Sequence, residues 1–202
     1  MQLLKRIRAG IRDQNGDTKE KRTIAMMNHQ KAKGFSLIEL LIVVAIILII
    51  ASIAIPNLLR SKQSANEAAA VSVLRNVHNA QAVYIIEYTN SVGYANSLIK
   101  LGPGNPCTKA AACLTDQLVG CAAEPCLKSG YMFYMSSTSG AEPFGDYTAT
   151  ATPVAFDKSG HNNFCTTEDG VIRRQKTATV SLGGPETHSN CTDFTQYIPL
   201  GG

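Results

Sequence analysis

The chain has 202 residues and a formal net charge of +4 at pH 7. The basic excess is confined to residues 1–34, which hold nine Lys or Arg and three acids, so the remainder of the chain carries −2. A remainder without a basic excess excludes electrostatic capture of nucleic acid as the main function, and no specific nucleic-acid partner is expected.

Residues 1–34 are predicted to be a basic leader peptide. Positive charge before an apolar segment favours a cytoplasmic location for the leader and export of the residues that follow the segment. A secretory signal fits poorly, because its cleavage site would follow the apolar region. A start at Met27 would leave the short leader MNHQKAKG. We therefore hypothesise that the residues before Met26 are a start-site artefact or a long leader without structural consequence.

Residues 33–57, KGFSLIELLIVVAIILIIASIAIPN, form an apolar run that ends at Pro56 and contains one carboxylate, Glu39. About 20 apolar residues in a helix suffice to cross the hydrocarbon core of a bilayer. Hydropathy alone favours a plain membrane anchor with Glu39 solvated at headgroup depth. A carboxylate inside such a run is otherwise costly unless a cation pairs with it.

The junction between Gly34 and Phe35 is a candidate cleavage site, because glycine offers no side chain to obstruct a peptidase. Cleavage there would make Phe35 a new amino terminus, largely cationic at neutral pH. One helical turn separates Phe35 from Glu39, so the amine and the carboxylate could pair within one chain or between neighbouring chains.

This amino-terminal segment closely resembles that of type IV prepilins and the related pseudopilins, and the resemblance covers about the first third of the chain. It implies cleavage by a prepilin peptidase after Gly34, N-methylation of Phe35, and a role for Glu39 in filament assembly through a neighbouring subunit's terminal amine. It also implies a pilin fold.

After Pro56, which should kink or loosen the helix, residues 57–90 are predicted to continue as an amphipathic helix. One stripe recurs at three-to-four spacing and is expected to be core. The other side of the helix is expected to be exposed to solvent (the wet side), and His78 is expected to be solvated. The stripe contains Ala70, Leu74, Val77, Gln81, Tyr84 and Tyr88, flanked by Val73 and Ala80, and the wet side contains Arg60, Lys62, Asn66, Glu67, Arg75 and Asn79.

Residues 91–130 are rich in Gly, Pro and Cys and are predicted to be a long loop with one short helix near residues 110–118. Strands follow at residues 131–136, 147–154, 164–167 and 171–175, the last two joined by the turn signal Asp169-Gly170. Alternating Ala and Thr predict that the 147–154 strand is half-buried. Residues 182–202 are expected to form another loop.

The expected fold class is therefore α+β: a pilin fold with a long amino-terminal helix packed on a small antiparallel sheet. We expect five segments. They are the leader (1–34), the hydrophobic transmembrane and assembly helix (35–56), the amphipathic half of the helix (57–90), the cysteine-rich loop (91–130), and the sheet with its carboxy-terminal loop (131–202).

Six cysteines follow the apolar run: Cys107, Cys113, Cys121, Cys126, Cys165 and Cys191. An even number outside the cytoplasm, without a CxxC pair, favours up to three disulfides over a zinc site, with fifteen possible connectivities. The preferred set joins Cys165 to Cys191, which resembles the carboxy-terminal staple of many pilins, and places two bridges within residues 107–126.

Catalytic and metal chemistry have little support. His161 lies four residues before Cys165, but such a pair in a Gly/Asn-rich turn is rarely a nucleophile and its base. Four acids could offer oxygen ligands to calcium, yet their spacing follows no calcium-loop pattern. We therefore expect no enzyme, metal or cofactor, and interpret these acids, Asp157, Glu168, Asp169 and Glu186, as solvated turn residues.

The expected function is a structural subunit that polymerises through its amino-terminal helix into a type IV pilus for adhesion, motility or uptake. A pseudopilin of a type II secretion system and a minor or tip pilin that binds a surface or ligand remain alternatives. Expected partners are further copies of the chain, the inner membrane, prepilin peptidase and the assembly machinery. The carboxy-terminal part is expected to be periplasmic before assembly and in a surface filament afterwards.

Overall fold

The computed structural model describes residues 34–88 and 92–201, and the chain divides into two compact units with the boundary after Val43. The leader and both candidate start residues lie outside the described residues. The elements in chain order are α1 (Leu37–Glu87), α2 (Leu98–Leu101), β1 (Cys126–Lys128), β2 (Tyr131–Ser136), β3 (Thr148–Pro153), β4 (Phe164–Thr167), β5 (Arg173–Gln175), α3 (His188–Thr192) and β6 (Tyr197–Pro199).

The carboxy-terminal half of α1 supplies one side of the core. The predicted stripe is confirmed, because Leu74, Val77 and Tyr84 are fully buried and Tyr88 packs partly buried against the same cluster. The Tyr84 hydroxyl donates to the carbonyl oxygen of Lys109 at 2.7 Å. The helix forms where apolar side chains recur on one face, and that face packs on the sheet.

Three polar residues of α1 are not simply solvated, so the prediction for them is wrong. Asn66 Nδ2 donates to the Ser159 carbonyl oxygen at 2.9 Å, and Glu67 Oε1 accepts from His161 N at 2.8 Å. His78 Nδ1 lies 2.7 Å from the Tyr147 hydroxyl oxygen. Long-range partners of this kind leave no periodic signal in a sequence.

The sheet has six antiparallel strands arranged in chain order from β1 to β6. The strands predicted at residues 131–136 and 164–167 are confirmed, as is the hairpin at Gly170, whose φ of +69° suits glycine. The strand predicted at 171–175 begins later, at Arg173. The two edge strands, β1 and β6, have three residues each and were not predicted.

Strand β3 is buried along its whole length, which contradicts the prediction of a half-buried strand. Its Ala side chains belong to the core cluster shared with α1. Its Thr side chains are covered by the carboxy-terminal segment, since Thr150 Oγ1 accepts from Glu186 N at 3.0 Å and Thr152 Oγ1 accepts from Leu182 N at 2.8 Å. Threonine fits this second buried face because its hydroxyl satisfies the backbone that covers it.

Neither predicted loop is without regular structure. The short helix expected at residues 110–118 is wrong, and the helix of this region is α2, with Ser97 as its N-cap. Strand β1, which begins at buried Cys126, extends the sheet into the cysteine-rich segment. Residues 182–201 contain α3 and β6 rather than loop alone.

Candidate assembly segment

The candidate cleavage junction is sterically open in the described structure. A Cβ atom added at Gly34 would meet no heavy atom within 4 Å, and the Phe35 side chain is 80% exposed. Both residues precede α1, which begins at Leu37. A peptidase needs an accessible backbone, and this junction is accessible in the described residues.

Glu39 lies in the first turn of α1 and its side chain is exposed. Its amide donates to the Ser36 carbonyl oxygen at 3.1 Å, which starts the helix. A carboxylate near a helix amino terminus is favoured by the helix dipole. Within residues 34–88 and 92–201 the carboxylate forms no salt bridge, so it is available to a cation from outside the described chain.

The apolar run is the largest exposed apolar surface of the described chain. Within that chain, α1 is also the one helix long and apolar enough to cross a membrane. Soluble monomers rarely leave such a surface in water, so lipid or other helices must cover it. The exposed large apolar residues are Phe35, Leu37, Ile38, Leu40, Leu41, Ile42, Val43, Val44, Ile46, Ile47, Leu48, Ile49, Ile50, Ile53, Ile55, Leu58 and Leu59.

Pro56 lies inside α1, and the helix is continuous through this position. Proline has no amide hydrogen, so the Ser52 carbonyl oxygen lacks its usual donor four residues later. The Ser52 hydroxyl donates to the Ile49 carbonyl oxygen at 2.7 Å. The expected loosening of α1 at this position remains a prediction.

All six cysteines are paired. The bridges are Cys107–Cys113, Cys121–Cys126 and Cys165–Cys191. This arrangement is the preferred set from the sequence, and the third bridge ties α3 to β4. The Cys165–Cys191 bridge is completely buried beside Tyr197, whereas Cys107 and Cys113 lie on the surface.

The residues considered for catalysis and calcium binding have separate partners and form no common site in the described residues. The sulfur of Cys165 is in a disulfide and cannot act as a thiolate nucleophile. Each of the acids has a different neighbour: Asp157 contacts His161, Glu168 contacts His188, Asp169 contacts Arg173, and Glu186 accepts from Asn190. In the part of the chain that the structure describes, no group of three metal-ligating side chains converges.

Asp169 is more than a solvated turn residue. Its carboxylate binds the guanidinium of Arg173, whose side chain is only 5% exposed. Burial acts to raise the pKa of the Asp169 carboxyl, but hydrogen bonds from Arg173, from the Val171 amide and from Thr167 lower that pKa below its ordinary value. Burial also raises the pKa of the Tyr84 hydroxyl, to about 12, so this core tyrosine stays neutral.

Sequence reasoning missed Glu124 as an organising residue. Its Oε1 accepts from the Ser97 hydroxyl at 2.9 Å and from Leu98 N at 2.6 Å, and its Oε2 accepts from Met135 N at 3.0 Å. One carboxylate thereby joins the start of α2 to strand β2. An acid in a Pro- and Cys-rich stretch gives no local signal of such a role, because its partners are distant in sequence.

The comparisons with known proteins find a family motif in the amino-terminal segment and relatives that match part of the chain. The prokaryotic N-terminal methylation motif matches residues 29–55. The chain is 42% identical over 73 residues to the type IV wide pilus major component PilA4 of Thermus thermophilus, a match that covers 36% of this chain and 56% of that protein.

Two further relatives match the chain over similar lengths. The chain is 39% identical over 69 residues to the type IV major pilin protein PilA of Myxococcus xanthus, covering 31% of each protein. It is 37% identical over 57 residues to the type II secretion system core protein G of Escherichia coli, covering 28% of this chain and 39% of that protein. No solved structure matched the chain.

The matches thus span between 31% and 56% of these relatives' own lengths. The methylation motif includes the candidate cleavage site and most of the apolar run. The second half of α1 packs on an antiparallel sheet. The family resemblance is confirmed: the chain carries the prepilin-type methylation motif and is homologous over part of its length to type IV pilins and to type II secretion pseudopilins.

Proposed function

We propose that the chain is a structural subunit of a type IV pilus, polymerised through the amino-terminal half of α1. The observation that carries this proposal is the exposed apolar run with a single unpaired carboxylate at its start. Apolar surface of this extent is stable in lipid, and it is equally stable against identical helices of neighbouring subunits. A filament core built from such helices allows the run to leave the bilayer without entering water.

Processing is proposed to precede assembly. Prepilin peptidase would cleave between Gly34 and Phe35, and Phe35 would be N-methylated. The leader would remain on the cytoplasmic side of the inner membrane, and the sheet domain would lie in the periplasm. The proposed division is leader 1–34, assembly helix 35–56, amphipathic helix 57–90, cysteine-rich segment 91–130 and sheet 131–202.

Glu39 and Pro56 are proposed to act at different stages of assembly. The Glu39 carboxylate would pair with the Phe35 amine of an adjacent subunit and set the axial register, because an unpaired charge in an apolar core is strongly unfavourable. Pro56 would let the helix loosen as subunits pack. The related proteins are structural subunits, and we propose no catalytic role for this chain.

A second candidate is a pseudopilin of a type II secretion system. Core protein G of three species matches the chain over 57 to 67 residues. Both candidates use the same amino-terminal chemistry, so the location of the assembled protein distinguishes them.

The test is intact-mass spectrometry of protein sheared from the cell surface, with and without reduction. A mass that begins at N-methylated Phe35 and rises by two hydrogens for each of the three disulfides is expected. Processed protein found only in the cell envelope would favour the pseudopilin. An uncut chain in the membrane would contradict both candidates and favour a plain anchor.

A further inference from the structure

The loop at residues 154–161 is held against α1 by side chains from a single helical turn. Gln63 Nε2 donates to the Asp157 carbonyl oxygen at 2.5 Å, and Asn66 Nδ2 donates to the Ser159 carbonyl oxygen at 2.9 Å. Gln63 is itself buried, and Glu67 accepts the amide of His161. These bonds fix the loop beside residues 63–67 of the helix.

This turn follows directly on the apolar run. Leu58 and Leu59 are exposed, and Arg60 is the first charged residue after Glu39, with 20 uncharged residues between them. That number is what a helix needs to cross the hydrocarbon core. Gln63 follows Leu59 by four residues, about 6 Å along a helix. The headgroup layer on each side of the core is about 5–8 Å deep, so the loop lies at its outer border when the run spans the bilayer.

Three basic residues cluster at this level: Arg60 and Lys62 on α1, and Lys158 on the loop. All three are exposed, and none forms a salt bridge within the described ranges 34–88 and 92–201. The acid of the loop is Asp157, whose Oδ1 lies 2.5 Å from His161 Nδ1. Glu67 is occupied by the loop amides. The three cations outnumber the two acids, Asp157 and Glu67, so the balance of charge here is +1.

We propose that Arg60, Lys62 and Lys158 form a basic collar that binds the phosphates of anionic phospholipids while the subunit is stored in the membrane. The long stems of Lys and Arg let their cations reach the headgroups from the helix and the loop. Val154, which is 50% exposed at the start of the loop, adds an apolar contact at the same level. This inference rests on the proposed membrane storage and is independent of whether the assembled filament is a pilus or a pseudopilus.

The chain has no tryptophan, so one introduced Trp reports on depth without background. The full-length precursor carrying Val154→Trp is reconstituted into vesicles that contain a trace of lipid with a dansyl-labelled headgroup, which quenches a nearby Trp by energy transfer. The bulk lipid is either phosphatidylcholine alone or phosphatidylcholine mixed with phosphatidylglycerol. The control is Leu118→Trp, a similarly exposed site next to Val119, which lines a surface cavity with Asn76 and Asn79 farther along α1.

We expect the Trp at position 154 to be quenched more strongly in the vesicles with phosphatidylglycerol, and the Trp at position 118 to be quenched in neither. Arg60→Gln, Lys62→Gln and Lys158→Gln combined should reduce quenching to the phosphatidylcholine value, with about a fivefold loss of preference for each charge removed. Lys158→Arg should retain the wild-type preference, because it keeps the charge.

Equal quenching in both vesicles, or quenching that survives removal of all three charges, would overturn the collar. Alkaline carbonate extraction of the same vesicles tests separately whether the chain is inserted in the membrane, as the proposed storage requires. If the chain is extracted, the proposed storage is wrong. If it resists extraction without selective quenching, only the collar is wrong.

Discussion

The two halves of α1 differ in what covers them. Residues 35–59 expose nearly every large apolar side chain, whereas the stripe from Ala70 to Tyr84 is buried against the sheet. Both halves are continuous helix with apolar surface. The difference is that the second half carries its own cover on the same chain, and the first half requires a cover from outside.

This contrast separates folding from assembly. Burial of the second half stabilises the subunit by the hydrophobic effect. The first half contributes little to the stability of one subunit in solution and is available for lipid or for neighbouring helices. Substitutions in the two halves should therefore change different measured quantities.

The largest effect is expected for Glu39→Ala. Without this carboxylate the Phe35 amine of a neighbouring subunit has no partner in the apolar core, so sheared filaments should be lost while membrane insertion is retained. Glu87→Ala is the matched control, because Glu87 is an exposed acid at the other end of α1. Electron microscopy of sheared material and carbonate extraction measure the two outcomes. Normal filament yield from the Glu39 variant would refute its assembly role.

Leu74→Ala and Leu58→Ala should separate the two halves. Leu74 is fully buried, so its truncation should lower the free energy of unfolding by about 2–5 kcal/mol. Leu58 is 68% exposed, and its truncation should leave that free energy nearly unchanged. Guanidinium unfolding of the detergent-solubilised chain, followed by tyrosine fluorescence, checks both. Equal losses would show that the first half is also packed within one subunit.

The disulfides should differ in both stability contribution and accessibility. Cys165 and Cys191 are 26 residues apart and buried, so replacing both with Ser should cost about 3–4 kcal/mol by loop-closure entropy. Replacing Cys107 and Cys113, six residues apart and exposed, should cost about 2 kcal/mol. Mild reductant followed by alkylation and peptide mapping should label the exposed pair first. Prior labelling of Cys165 would contradict the buried assignment.

The smallest effect is expected for Asp169→Asn, which removes the carboxylate partner of buried Arg173. Asp169 is 39% exposed, so solvent screening limits the loss at pH 7 to about 1 kcal/mol. The folded-state pKa of Asp169 is lowered, so its contribution is present above the unfolded-state pKa, about 3.9, and is lost as pH falls through the lower folded value.

Unfolding measured from pH 7 down to pH 3 should therefore show a smaller acid-induced loss for Asp169→Asn than for the wild type. Glu87→Gln serves as the control, since Glu87 is exposed and forms no salt bridge within residues 34–88 and 92–201. A parallel pH dependence for the Asp169 variant and the wild type would show that the pair with Arg173 does not stabilise the fold.

Most of α1 could be predicted from local sequence. The apolar run, the stripe with three-to-four spacing and the Asp169-Gly170 turn each depend on residues close together in the chain. The edge strands could not be predicted in this way, because a strand of three residues is too short to show an alternating pattern. The prediction of a helix at 110–118 was wrong, and the structure has turns there, in which Asp116 Oδ1 accepts from the amides of Leu118 and Val119.

By itself, the sequence determined the prepilin-type segment, the α+β class and the burial stripe of α1, because motif, hydropathy and helical period are local properties. Only the tertiary structure decided the cover over β3, the pairing of six cysteines among fifteen possibilities, and the roles of Gln63, Glu67 and Glu124. Apart from the two short-range disulfides, these features join residues more than ten positions apart. The free energy of such contacts depends on which backbone groups the fold leaves without a partner.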